Sequence, residues 1–184
     1  MIPAVAKPLR VALGEYDIGW HDPEASLARA SEVVADAAGA GARLVVLPEM
    51  TTTGFTMDVS QATPLATGHA TRLSAIAAKS GVWLIASVAA TESASNPGTA
   101  AAGAAPTLDA SRAVNAAVVI DPAGKVVAVY RKQKLFAFAG EHEHYVAGDG
   151  PVTVTIEGVR IAPLVCYDLR FPELFRAVAR GVDA

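Results

Sequence analysis

Two short apolar runs, Arg43-Leu-Val-Val-Leu47 and Val82-Trp-Leu-Ile-Ala-Ser-Val88, constrain this chain most. A strand that is apolar at successive positions must be covered on both faces, and helical crossovers are what usually cover it. The surrounding sequence supplies them. Asp22 is suited to cap a helix and Pro23 to occupy its first turn. Leu27, Ala30, Val34 and Ala37 then recur at helical spacing until Gly39 and Gly41 end the run. The spacing predicts helices over residues 24–39 and 70–79, with a first strand over 10–16. Strand, helix, strand in this order is the βαβ unit of an α/β fold.

Further along, strands are expected over 115–120 and 125–130, joined by the turn Asp121-Pro-Ala-Gly124. A polar loop follows over 132–151. An alternating strand over 152–156 turns at Glu157-Gly158 into a hairpin partner over 159–165. Pro172 and Gly181 bracket a last helix over 171–180. Residues 91–112 are built from Ala, Ser, Thr, Gly and Pro and read as a surface insertion, since the strand pattern resumes directly after them. No internal repeat is present. With 52% apolar and 18% charged residues in 184, the composition excludes a disordered chain and suits one domain spanning 1–184. Net charge is −3, with a sequence pI near 5.8 and no basic block, which argues against a nucleic-acid track. A single cysteine excludes an internal disulfide and fits a reducing compartment. Without a signal-like start or a membrane-length apolar run, the expectation is a soluble cytoplasmic chain.

Three residues stand at predicted strand ends, where open α/β sheets carry their chemistry. Cys166 follows the strand over 159–165 and precedes a helix whose N–H groups would lower its pKa and bind an oxyanion. A buried structural thiol explains the same position. Glu49, flanked by Pro48 and Met50, suits a general base whose pKa burial raises, or a loop carboxylate capping a neighbour. Lys132 is suited to stabilise an oxyanion, or to be a solvated strand edge. In Glu141-His-Glu-His144, His142 and His144 would share a face of an extended segment, but no second ligand group lies at metal spacing. His21, His69, His142 and His144 leave open a thiol–imidazole pair with Cys166. A phosphatase-type thiol is disfavoured, because Cys166 to Arg170 lacks a glycine-rich cradle.

Taken together, three blocks resemble the signature motifs of the nitrilase superfamily of carbon–nitrogen hydrolases: Leu47-Pro-Glu-Met50, Tyr130-Arg-Lys-Gln-Lys-Leu-Phe136 and Leu164-Val-Cys-Tyr-Asp-Leu-Arg-Phe-Pro-Glu173. The cysteine block and Ala139-Gly-Glu-His-Glu-His-Tyr145 are similar to the omega-amidase and Nit-protein branch. The resemblance implies a four-layer α-β-β-α sandwich that pairs through its cysteine-side helices as a homodimer. It implies Cys166 as nucleophile, Glu49 as general base, Lys132 as oxyanion-side cation and Glu141 as a second glutamate orienting the site. It implies that Arg170, with Tyr167 and Phe171, meets a small amide substrate, Arg170 pairing with the free carboxylate of a dicarboxylic monoamide. It implies no metal and no organic cofactor. The chain departs from the pattern at Lys134, where the family commonly has histidine, and at Val182-Asp-Ala184, where a further strand is expected. That second departure reads as a C-terminally truncated member, with a non-catalytic fragment as the alternative function. On this reading the chain exposes apolar sheet surface and aggregates. A version extended by its native downstream sequence is expected to melt higher and to release more ammonia from an amide. Equal melting and equal turnover would remove the truncation reading.

Overall fold

A computed structural model describes residues 8–91 and 113–184. Most of the expected 91–112 insertion lies outside the described residues; Thr91 itself closes a strand. The elements follow the α/β pattern. Strand β1 is Val11–Leu13, helix α1 Pro23–Gly39, strand β2 Leu44–Val46, strand β3 Thr63–Pro64, helix α2 His69–Ser80 and strand β4 Trp83–Thr91. Next come β5 Ala113–Ile120, β6 Val126–Arg131, the one-turn helix α3 Glu141–His144, the hairpin strands β7 Val154–Ile156 and β8 Val159–Ile161, and α4 Pro172–Val178.

Local chemistry sets the boundaries. The Asp22 carboxylate accepts from the Ala25 N–H at 3.0 Å, with Pro23 in the first turn of α1. Gly81 closes α2 in the left-handed region at φ 66°, which carries no Cβ penalty for glycine. Glu157 (φ 49°) and Gly158 (φ 88°) give the β7–β8 hairpin a two-residue turn with both φ values positive. The first strand is shorter than the 10–16 run: it keeps three residues, because it pairs only with β2 and leaves Leu13 77% exposed. Likewise the segments 159–165 and 171–180 yield only Val159–Ile161 and Pro172–Val178 as regular elements.

One six-stranded sheet runs in the order β1-β2-β4-β5-β6, with β3 alongside β4. β1, β2 and β4 are parallel, as the helical crossovers require, and β4-β5-β6 are antiparallel. Residues on β4 and β5 alternate strictly between its two faces. Leu84, Ala86, Val88 and Ala90 join Val114, Ala116, Val118 and Ile120 in the core against Leu27, Ala30, Val34, Leu73 and Ala77 of α1 and α2. On the opposite face Leu44, Ile85 and Val119 pack on Ile156 and Ile161 of the β7–β8 hairpin. The layers therefore run helices, sheet, second sheet, consistent with an α-β-β-α sandwich, and α4 follows in the chain. No described helix is long and apolar enough to cross a membrane.

Because the first core depends on β4, Leu84→Ala should remove about 2–5 kcal/mol of stability, read as a lower denaturation midpoint. A loss under about 1 kcal/mol would show that the helix–sheet contact is not what holds the domain.

Candidate active site

The alternation that buries even-numbered residues of β4 and β5 under the helices turns Ser87 and Asn115 to the other face. Lys132 follows β6, and its backbone N–H bonds the Asn115 carbonyl at 2.9 Å, which brings it level with Asn115 on the neighbouring strand. Its side chain is fully buried rather than a solvated edge. The ammonium donates to Glu49 Oε1 at 2.7 Å and to Glu141 Oε2 at 2.9 Å. Burial works against its charge, but hydrogen bonds to Glu49 and Glu141, and their negative charges, hold its pKa above the ordinary lysine value.

Glu49 was expected among apolar groups. Its side chain instead lies 18% exposed between donors: the Lys132 ammonium and, at 2.8 Å, the Asn115 amide, both on Oε1. It sits just before Met50, a non-glycine residue at φ 45° whose side chain is buried against Ala89, Ala113 and Tyr145. The Met50 N–H donates to Ser87 Oγ at 3.2 Å, and Ser87 donates to Asn115 Oδ1 at 2.6 Å. Glu141 opens α3 inside the predicted 132–151 loop and is fully buried. Its carboxylate accepts from Lys132, from Asn115 at 3.0 Å and from the Phe136 N–H at 2.6 Å. One amide, Asn115, thus bridges both glutamates.

Cys166 is exposed, which removes the reading of a buried structural thiol. It opens a five-residue 3-10 turn, Cys166–Arg170, that leads into the expected helix α4, and it stands at φ 45°. The expected lowering of its pKa is reversed. Partial burial of the sulfur, then the charge of Glu49 and a hydrogen bond to it, push the thiol up to about 11, against a smaller opposing pull from Lys132. Three of the four imidazoles have partners elsewhere: His21 with Thr56 at 2.7 Å, His69 with the Gln61 carbonyl at 3.4 Å, and His142 with Glu143 at 3.9 Å. His142 and His144 lie on a helical turn, where a spacing of two turns side chains apart, so they do not share the face expected of an extended segment. No described group of three His, Cys, Asp or Glu residues is arranged to hold a metal ion.

Tyr167 and Phe171 belong to an aromatic row. Phe55 meets Phe136 at 6.4 Å between ring centroids, Phe136 meets Tyr167 at 4.9 Å, and Tyr167 meets Phe171 at 5.3 Å. The Lys132 ammonium lies 5.1 Å from the centre of the Phe55 ring, so the row begins at the charged cluster. Lys134 caps its other end, 4.6 Å over Phe171 and 3.2 Å from Glu173. Arg170 is exposed on the cysteine turn, without an ion pair among the described residues. Asn115, Ser87, Phe55 and Phe136 were not singled out by the sequence reading. Ser87 and Asn115 do carry a signal, since each is a polar residue interrupting an apolar strand.

A family model of carbon-nitrogen hydrolases matches residues 10–183. The omega-amidase YafV of Escherichia coli K12 is 34% identical over 164 residues, covering 89% of this chain and 56% of that protein. A 2-oxoglutaramate amidase of Bacillus subtilis is 29% identical over 166 residues, covering 88% and 57%. The chain thus spans a little over half the length of these relatives. A solved structure of the amidase from Nesterenkonia sp. AN1, with acrylamide added to its active-site cysteine, superposes at a TM-score of 0.77. It is 26% identical, with 95% of this chain and 64% of that one covered.

The folded state binds the Cys166 proton more tightly than the unfolded chain does, since its pKa rises from 9.0 to about 11. Stability from this source is therefore fully present below pH 9.0 and is lost as pH climbs through about 11. Thermal melts are expected to fall over that window, and less steeply for Cys166→Ala. Parallel curves for the two proteins would show that the thiol is not perturbed.

Proposed function

The chain belongs to the carbon-nitrogen hydrolase family, and on that premise we propose that it hydrolyses the amide bond of a small, carboxylate-bearing amide through a cysteine thioester, releasing ammonia. The observation that carries this reading is that Lys132 bonds Glu49 at 2.7 Å and that the charges of both act on the Cys166 thiol, the three coming from distant segments. In the proposed reaction Glu49 takes the thiol proton as sulfur attacks the amide carbonyl. Two of the three Lys132 N–H bonds go to glutamates; the third is assigned, with the Tyr167 backbone N–H, to the developing oxyanion. Glu49 returns the proton to nitrogen, the C–N bond breaks, and ammonia leaves a thioester. Glu49 then takes a proton from water as the hydroxide adds to the thioester; collapse breaks the C–S bond, releases the acid, and Glu49 passes its proton to the departing sulfur, restoring the thiol.

Glu141 and Asn115 contribute by holding Lys132 and Glu49 in place. The substrate class is supported by the relatives named as omega-amidase and 2-oxoglutaramate amidase, and by Arg170, an exposed guanidinium four residues from Cys166. A planar guanidinium can take a carboxylate through two parallel hydrogen bonds. The aromatic row gives the carbon chain of such a substrate an apolar wall.

Ammonia release from alpha-ketoglutaramate tests the proposal. The parent chain should turn it over faster than butyramide, and Arg170→Ala should erase that preference. Cys166→Ala and Glu49→Gln should each reduce turnover by at least about 10³-fold while remaining folded. A Cys166→Ala protein that still releases ammonia at the parent rate would remove the thioester from the mechanism.

A further inference from the structure

Asp168 is a buried carboxylate that the proposed chemistry leaves without a task. Among the described residues it accepts three hydrogen bonds, none from a cationic side chain. Oδ2 takes the Tyr130 hydroxyl at 2.7 Å and the Val165 N–H at 2.9 Å. Oδ1 takes the Lys134 N–H at 2.9 Å. These donors are specific in their placement. Val165 immediately precedes Cys166, while Tyr130 and Lys134 stand two residues before and two residues after Lys132. One carboxylate therefore ties the cysteine turn to both sides of the lysine.

The turn needs such a tie. Cys166 holds φ at 45°, a region that side chains other than glycine visit rarely and that persists only where the surroundings over-determine it. Its own 3-10 bonds, from Asp168 N–H to Val165 O at 3.0 Å and from Phe171 N–H to Asp168 O at 3.0 Å, close a single short turn. The remaining constraint comes from the Asp168 side chain, which closes back on the N–H of Val165 and reaches across to Tyr130 and Lys134.

We propose that Asp168, with Tyr130 as its side-chain donor, is a positioning residue that locks Cys166 in its left-handed conformation and sets its sulfur against Glu49 at a fixed distance from Lys132. This rests on the reading of Cys166 as the nucleophile. An amide cannot replace the carboxylate. Both backbone donors, Val165 N–H and Lys134 N–H, point at different oxygens, so Asp168→Asn in either flip aims an NH₂ group at one of them. Tyr130→Phe is the milder change, removing one hydroxyl and leaving both backbone donors paired.

Alkylation of Cys166 by iodoacetamide, followed by intact mass against pH, tests the clasp without requiring turnover. In the parent the rate should titrate near the thiol's value of about 11. Once released from the clasp, the sulfur leaves Glu49 and its partial burial, and the midpoint should move toward the ordinary thiol value of 9.0. At pH 8 a drop of about two pKa units gives roughly 100-fold more thiolate, tempered about tenfold by its lower intrinsic nucleophilicity. Tyr130→Phe and Asp168→Asn are therefore expected to alkylate about tenfold faster at pH 8, with circular dichroism unchanged. In ammonia release they should lower kcat about tenfold or more while leaving KM within about twofold. If Asp168→Asn does not fold, Tyr130→Phe decides. A folded Tyr130→Phe protein whose alkylation profile superposes on that of the parent would overturn the proposal and leave Asp168 a purely structural carboxylate. A parent chain that alkylates as described but releases no ammonia would count against the proposed function and not against the clasp.

Discussion

The buried ammonium of Lys132 is the interaction on which the site depends. An ammonium taken wholly out of water is unfavourable by several kcal/mol unless its charge is met at close range. Here it is met twice, by Glu49 and Glu141. Those two carboxylates would repel each other if the lysine were absent, and either alone would leave the other side of the ammonium unpaired. Asn115 fits into this arrangement because its NH₂ group has two donors and each glutamate takes one. The sheet supplies the spacing. Lys132, Asn115 and Ser87 come from three neighbouring segments in the order β6, β5, β4, all on the face turned away from α1 and α2. The polar cluster is thus a continuation of the strand pairing, and its geometry is as rigid as the ladder beneath it.

What could be read from residues alone was what near neighbours decide. The apolar runs at 43–47 and 82–88, the Asp22 cap, and the Glu157-Gly158 turn each depend on a few adjacent positions, and each is found in the fold. The resemblance to a known family carried the candidate set Glu49, Lys132, Glu141 and Cys166, which periodicity alone left undecided between site and scaffold. Three things escaped because they depend on contacts distant in sequence. Strand β1 is short because only β2 pairs with it. The environment of Glu49 is polar because Lys132 and Asn115 arrive from 83 and 66 residues away. The turn at Cys166 is a 3-10 turn tied by Asp168 to Tyr130, a partner 38 residues distant. Asn115 was hidden for a related reason. A polar residue in a buried strand shows that something satisfies it, but not which neighbour does so.

The electrical character of the thiol has a further consequence for how such a site must work. In a cysteine–imidazole pair the partner becomes a cation and draws the thiol pKa down. Here the partner is a carboxylate, and the thiol is held near a pKa of about 11. At pH 7 the thiolate fraction is then on the order of 10⁻⁴. The resting thiol is neutral, its pKa raised by its partial burial and by the charge of Glu49. On the proposed reading, the proton moves to Glu49 only as the carbonyl carbon accepts the sulfur lone pair. Negative charge then leaves the carboxylate and appears on the carbonyl oxygen, so the cluster's net charge is conserved and Lys132 need not be redistributed far to follow it. On that reading the buried ammonium that bonds Glu49 at 2.7 Å is also adjacent to where the charge goes next. On the same reading Glu141, fully buried and accepting from three donors, keeps that ammonium from moving with the departing proton. On the proposed reading, the second glutamate is what allows a carboxylate to serve as the base. Without it, the lysine's only anionic partner would be neutralised at the moment the oxyanion forms.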